Sequence, residues 1–215
     1  MCNHIALILD GNRRWGKKNK KSLTEAYKKG AEVLQEIVLE LIKLKIPMAT
    51  MYGFSFENWN RSLYEISVIM VAFMSFLEEN IEFFTKNNIK IKFIGDLSFF
   101  DEKVKSILFE LEYLTNKNTE ILIQLAVSYS GRNEILEAMG KSQRENLAFE
   151  DCLYMKNSPD LLIRTGGCRR LSNFLLWQIA YTELFFLDKL WPEFCKEDLH
   201  NILQEYKSTS KNNGV

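Results

Sequence analysis

Side chains able to hold a metal ion or an anion are concentrated in three polar clusters, each directly after an apolar run. The first is Asp10-Gly11-Asn12-Arg13-Arg14-Trp15, following the apolar residues 5–9. An aspartate there can carry a divalent cation, a glycine lets the backbone approach a ligand, and two arginines can neutralise its negative charge. The second is Ser55-Phe56-Glu57-Asn58-Trp59-Asn60-Arg61, with Glu65 just beyond it. The third runs Arg164-Thr165-Gly166-Gly167-Cys168-Arg169-Arg170-Leu171-Ser172-Asn173, with Trp177 and Glu183 further on. In it, Gly166 and Gly167 are expected to present successive backbone N–H groups as an anion nest. Arg164 and Arg170 add guanidinium forks and Ser172 a hydroxyl donor, a set that suits the many oxygens of a diphosphate. A lone Asp-Gly turn is ordinary structure. Three arginines around a double glycine are less easily explained that way.

The elements that must hold these clusters follow from hydrophobic periodicity. The unbroken apolar run over 5–9 reads as a buried parallel strand opening into a loop. Helical spacing covers 23–45, and Pro47 then separates it from a second apolar stretch at 48–54. A helix is expected over 65–86, a strand at 89–94, a turn at Gly95-Asp96 and a helix through Val104 to Leu114. A strand at 120–127 leads to Ser128-Tyr129-Ser130-Gly131 and a helix through Met139. Short strands follow at 161–163 and 183–187, and a last helix starts near Lys196. Strands alternating with helices indicate an α/β domain with a mostly parallel sheet. Such a sheet gathers the three clusters at one edge, where open α/β sheets bind ligands. The helix over 65–86 is apolar almost all round between Val68 and Phe76. It is either a core helix buried on several sides or the wall of a cavity for an apolar ligand.

Composition bounds the class. A chain of 215 residues with 47% hydrophobic and 26% charged residues is an ordinary globular protein, most simply one domain. Twenty-eight basic residues balance twenty-eight acidic ones, so no global field favours nucleic acid. Locally, six of the nine residues over 13–21 are Arg or Lys, which suits a phosphate-bearing small molecule. Cys2, Cys152, Cys168 and Cys195 form no C-x-x-C pair, and with two histidines a zinc site is not expected. Free thiols, no secretory leader and no membrane-spanning run point to a reducing cytoplasm.

The clusters belong to longer blocks. These are His4-Ile-Ala-Leu-Ile-Leu-Asp-Gly-Asn-Arg-Arg-Trp15, Tyr52-Gly-Phe-Ser-Phe-Glu-Asn-Trp-Asn-Arg61, Ile94-Gly-Asp96 and Asp160-Leu-Leu-Ile-Arg-Thr-Gly-Gly167. Then come Arg170-Leu-Ser-Asn-Phe-Leu-Leu-Trp-Gln-Ile-Ala-Tyr181, Glu183-Leu-Phe and Leu190-Trp-Pro192. In type and order they resemble the cis-prenyltransferases, in particular bacterial undecaprenyl diphosphate synthases. The resemblance implies a single α/β domain over 1–207 with an apolar tunnel between sheet and helices, and a frayed tail over 208–215. It implies repeated condensation of isopentenyl diphosphate onto farnesyl diphosphate with cis geometry. The product would be a long, undecaprenyl-sized lipid carrier precursor for cell-wall synthesis. By the same resemblance Asp10 and Glu183 would hold Mg²⁺. Gly11, Asn12, Arg13, Arg14, Trp15, Ser55, Phe56, Glu57, Trp59 and Arg61 would bind the allylic diphosphate. Arg164, Arg170, Leu171 and Ser172 would bind isopentenyl diphosphate, with Glu65 a further site residue. Asn58 matches the position named as proton acceptor. A neutral amide is a very weak base, so a diphosphate oxygen taking the proton while Asn58 orients the group is the better chemistry. A cytoplasmic homodimer touching the membrane that receives its lipid is also implied.

The chain departs from the family in places. Leu23 and Tyr27 stand where an arginine and a histidine are usual, Cys168-Arg169 replaces an acid-then-basic pair, and Ser128-Tyr-Ser-Gly-Arg132 replaces Asn-Tyr-Gly-Gly-Arg. The segment over 132–159 is also shorter than usual. Two rival readings remain: a non-catalytic scaffold subunit, which has no need of Asp10 and Glu183, and a Mg²⁺-dependent phosphatase with Asp10 as nucleophile. The second normally wants another aspartate two residues away, where Ile8 and Asn12 stand.

Overall fold

The computed structural model describes residues 2–209. Strand β1 (His4–Ile8) is buried along its whole length. Alternation sends Ile5 and Leu7 into one core and Ala6 and Ile8 into a second core on the opposite face. Such a strand needs covering on both faces, and helices supply the cover. Truncating Leu7 to Ala would cost about 2–5 kcal/mol.

Helix α1 (Asn12–Lys18) follows at once, and α2 (Leu23–Lys43) after a short turn. The sequence reading did not set α1 apart, since seven residues are too few to show a period. Ser22 caps α2 by accepting from the Glu25 N–H while the Glu25 carboxylate reaches back to Ser22, a full capping box. Then come β2 (Met48–Ser55), a 3-10 turn over Phe56–Asn60, α3 (Leu63–Glu79), α4 (Ile81–Lys86) and β3 (Ile89–Ile94). The expected single helix over 65–86 is thus two. Asn80 breaks it: its Nδ2 donates to the Phe76 carbonyl at 2.7 Å and its Oδ1 accepts from Gln35 of α2, drawing the chain out of helical register. The chain continues as α5 (Glu102–Thr115), β4 (Ile121–Tyr129), α6 (Gly131–Glu145), β5 (Leu161–Arg164), β6 (Glu183–Phe186) and α7 (Lys196–Ser208). Residues 210–215 of the expected tail lie outside the described residues, and Ser208 still belongs to α7.

The six strands form one sheet, ordered β3-β4-β2-β1-β5-β6, with every neighbouring pair parallel. β1 therefore lies between β2 and β5, and the three polar clusters leave three adjacent strands at the same edge. The expectation for α3 resolves towards a cavity wall. Only Ile69 and Leu77 are buried, while Val71 is 63% exposed.

Candidate active site

The three clusters surround one cavity of about 880 Å³. Asp10, Gly11, Asn12, Arg13, Arg14, Ser55, Glu57, Asn58, Arg61, Glu65, Arg164, Arg170 and Ser172 all line it. Part of its wall is apolar: Leu34 from α2, Ile69, Ala72, Phe73 and Phe76 from α3, and Leu125 from β4.

Asp10 is the hub. Its Oδ1 accepts from Arg14 Nη2 and its Oδ2 from Arg164 Nη2, each at 3.0 Å. Its carbonyl accepts from Thr165 Oγ1 at 2.8 Å and from the Trp191 N–H at 3.0 Å, so the backbone behind the carboxylate is fixed as well. Arg164, with a side chain only 4% exposed, also donates from Nη1 to Ser172 Oγ at 2.7 Å and to the Arg170 carbonyl. A guanidinium buried that far requires a counter-charge, and Asp10 is it. Gly11 makes the turn possible. Its φ of 123° is a left-handed value, and a side-chain carbon there would meet Leu190 Cα at 2.9 Å.

The double glycine works differently from the expectation. The Gly166 and Gly167 N–H groups donate to the carbonyls of Lys189 and Leu187, both at 2.8 Å, so neither is left for an anion nest. What Gly166 supplies is room, because a Cβ there would come within 2.5 Å of Arg14 Nη2 and 3.0 Å of the Asp10 carbonyl.

Across the cavity, Glu65 pairs with Arg61 at 2.9 Å and Arg13 at 3.5 Å. Tyr27 lines the same cavity, and burial raises its phenol pKa so that it stays a neutral donor. Asn58 Oδ1 accepts from the Ser55 N–H at 3.0 Å, an orienting bond that holds the 3-10 turn. Glu57 accepts from Asn173 Nδ2 at 2.6 Å, and Asn173 also donates to Ser130 at the start of α6. The Tyr52 hydroxyl stands 3.2 Å from the carbonyls of both Tyr129 and Ser172, and its ring stacks on Phe174 at 4.5 Å. Asn173, Tyr52 and Trp191 were not among the expected site residues, although each stands inside one of the quoted blocks.

Five expected residues are not on the cavity wall. Trp59 turns inward, donating from Nε1 to Ser128 Oγ at 2.9 Å and packing on Phe54, Phe99 and Phe100. Phe56 meets Phe99 edge-on, Leu171 packs against the second core, and Trp15 is half-buried on α1. Glu183 opens β6 opposite Leu161, whereas Arg164 at the other end of β5 pairs with Phe186. Three residues of strand amount to about 10 Å, so within one chain Glu183 lies at the edge of the sheet away from Asp10. Among the described residues no group of three or more His, Cys, Asp or Glu is placed to hold a metal ion.

The charge balance says what the cavity accepts. Arg13, Arg14, Arg61, Arg164 and Arg170 set five guanidiniums against the three carboxylates of Asp10, Glu57 and Glu65. A surplus of fixed positive charge over an apolar recess suits an anionic head on a hydrocarbon tail.

Comparison with known proteins gives the same reading. An isoprenyl transferase of Rickettsia prowazekii is 38% identical over 98% of this chain and 97% of its own. The ditrans,polycis-undecaprenyl-diphosphate synthase of Haemophilus influenzae, described as specific for (2E,6E)-farnesyl diphosphate, is 37% identical over 98% of this chain and 94% of its own. The crystal structure of lavandulyl diphosphate synthase from Lavandula x intermedia with dimethylallyl diphosphate superposes with a TM-score of 0.93 at 34% identity, covering 100% of this chain and 98% of that one. The sequence model of the undecaprenyl diphosphate synthase family matches residues 8–214, and the chain belongs to that family of prenyltransferases.

Proposed function

We propose that the protein condenses isopentenyl diphosphate repeatedly onto farnesyl diphosphate, adding cis double bonds and releasing diphosphate at each step, to give a long polyprenyl diphosphate of undecaprenyl size. One observation carries this reading: five arginines line the same cavity as a stretch of wall made of aliphatic and aromatic side chains. On this reading, Arg13, Arg14, Arg61 and the uncapped first turn of α1 hold the allylic diphosphate. Arg164, Arg170 and Ser172 hold isopentenyl diphosphate, and the recess along α3 is the tunnel for the growing chain. Holding both diphosphates makes the attack nearly unimolecular, worth roughly 7–11 kcal/mol at best. Asn58 keeps its bonded, orienting role, and the proton leaves to a diphosphate oxygen.

Mg²⁺ fits this site through one protein ligand. Asp10 is the accessible carboxylate beside the arginines, with its side chain 30% exposed, and Mg²⁺ is commonly held by one or two carboxylates plus substrate phosphates. Bound there with diphosphate oxygens, it would neutralise charge on the departing group. Glu183 has no part in that set within one chain.

The enzyme is proposed to act as a cytoplasmic homodimer beside the membrane receiving its product, for cell-wall precursor transport. No helix among the described residues is long and apolar enough to cross a membrane. Exposed Leu136 and Met139 on α6, Trp177 and Tyr181 before β6, and Leu184 on that edge strand support a self-contact on that side.

The test is incubation with Mg²⁺, farnesyl diphosphate and labelled isopentenyl diphosphate, followed by sizing of the product. A ladder of elongated diphosphates is expected; no extension overturns the enzyme and favours the scaffold subunit. Phosphate release from simple monoesters would favour the phosphatase. Against that rival, Ile8 and Asn12 stand where it would need a second aspartate.

A further inference from the structure

We infer that the rim beside the mouth of the cavity is an interfacial docking surface for an anionic lipid bilayer. The first observation is charge segregation. Over residues 13–29 stand eight basic residues (Arg13, Arg14, Lys17, Lys18, Lys20, Lys21, Lys28, Lys29) against one acid, Glu25, a formal charge of 8 − 1 = +7. The whole chain sums to zero, so everything else carries −7. A neutral protein that collects such an excess on one short helix and the start of the next presents a strongly positive face. Internal pairing consumes only part of it. Arg13 binds Glu65, Arg14 binds Asp10, Lys18 binds Glu193, Lys21 binds Glu25 and Lys29 binds Glu32, which leaves Lys17, Lys20 and Lys28 exposed with no carboxylate within 4 Å among the described residues.

The second observation is apolar and lies on the facing element. Leu63 and Tyr64, in the first turn of α3, are 86% and 74% exposed. They immediately precede Glu65, whose carboxylate meets Arg13 of α1 across the cavity. Lys17 follows Arg13 by one helical turn. Basic helix and apolar turn therefore flank the same opening, joined by the Arg13–Glu65 pair. Lysines that attract headgroups beside one aromatic and one aliphatic side chain that can enter the acyl boundary form the chemistry of an interfacial anchor.

This surface rests on the proposed function for its purpose. A product that is nearly all hydrocarbon is insoluble in water, and an opening held against the bilayer lets it leave without crossing solvent. The surface itself is testable without turnover. The full chain is sedimented with vesicles of phosphatidylcholine mixed with phosphatidylglycerol, and with vesicles of phosphatidylcholine alone. Binding to the anionic vesicles, weakened by salt, is expected, and equal binding to both kinds overturns the proposal. Lys17→Gln/Lys20→Asn/Lys21→Gln should weaken it on the order of a hundredfold, since each lysine near an anionic surface contributes about 1 kcal/mol. Leu63→Ser/Tyr64→Ser should weaken it with all lysines present. Unchanged binding by either variant, with circular dichroism showing both folded, overturns it too. Loss of turnover on soluble substrates while vesicle binding persists would assign these lysines to substrate capture, also against the proposal. A wild-type protein that binds vesicles but extends nothing supports the surface and overturns only the enzymatic reading.

Discussion

Asp10 and Glu134 are both carboxylates a few residues beyond a central strand, yet the protein treats them in opposite ways. Asp10 stands in the open between two guanidiniums, with its side chain 30% exposed. Glu134, on α6, is 2% exposed and meets only neutral donors: the Tyr129 hydroxyl, the Tyr154 N–H at 2.9 Å and Gln178 Nε2 at 3.0 Å. Burial raises its pKa above the usual glutamate value. His4, at the amino end of β1, belongs to the second kind. It is closed in by a bond of 2.8 Å to Thr50 Oγ1, which donates in turn to Gln124. The region around Asp10 holds more cationic charge than its own acids can use, whereas Glu134 and His4 bond to buried protein groups and line no part of the cavity. Unused charge marks the working end of the sheet, and buried side-chain bonds mark the parts that hold it together.

The contrast should break first at Asp10. Asp10→Asn keeps the shape and an acceptor for Arg164 but removes the charge, and turnover should fall about a thousandfold, or about 4 kcal/mol in the barrier. If steady-state rates stay at the wild-type level, the open region is not the working one. Glu134→Ala should do the reverse. It strands three buried donors and should lower unfolding stability by about 3 kcal/mol in urea titrations, leaving kcat per folded molecule near wild type. A large drop in kcat at full stability would merge the two regions.

His4 gives a pH test of the closed kind. Burial lowers its pKa from 6.5 to about 4, so between those values the unfolded chain binds more protons than the folded one. Its contribution is therefore full above pH 6.5 and declines as pH falls towards 4, by up to about 2 kcal/mol between pH 6.5 and 5. A His4→Gln variant whose urea midpoints show the same slope over that window would remove His4 from the account. The smallest expected effect is at Asn58. Asn58→Ala loses the acceptor for the Ser55 N–H and should lower kcat about tenfold, while Asn58→Asp, which keeps an acceptor oxygen, should stay close to wild type. An aspartate variant faster than wild type would mean that basicity at this position matters after all.

Much of the fold was legible because buried strands announce themselves. Residues 5–8 pack two cores in alternation, and the apolar runs at 48–54 and 161–163 could hardly be anything but central strands. Since Asp10, Ser55 and Arg164 each stand just after or at the end of a strand, a parallel sheet had to bring them to one edge. The same logic applies to Glu183, which opens its strand rather than following it and so lands at the other edge; the family resemblance obscured that signal. Trp59 and Leu171 turned inward because their apolar surface found cores within reach. The breaks were harder to read. Nothing local distinguishes Asn80 as a helix breaker until Gln35, forty-five positions earlier, is known to bond its side chain. Likewise, the N–H groups of Gly166 and Gly167 are taken by carbonyls at 189 and 187, beyond any local pattern.

The strand order has a consequence for synthesis. The edge of β1 that meets β5 waits for a partner 156 positions later in the Ile5–Leu161 pairing, and the bond from Arg164 to Asp10 spans 154 positions. At translation rates of about 5–20 residues per second, Arg164 is made roughly 8–30 s after Asp10. During that interval an apolar strand paired on one side only presents an open edge, the kind that recruits foreign strands. A nascent chain of this protein is therefore most vulnerable to aggregation through its first strand. Any release of the polypeptide before β5 leaves that edge bare and Asp10 without its buried guanidinium.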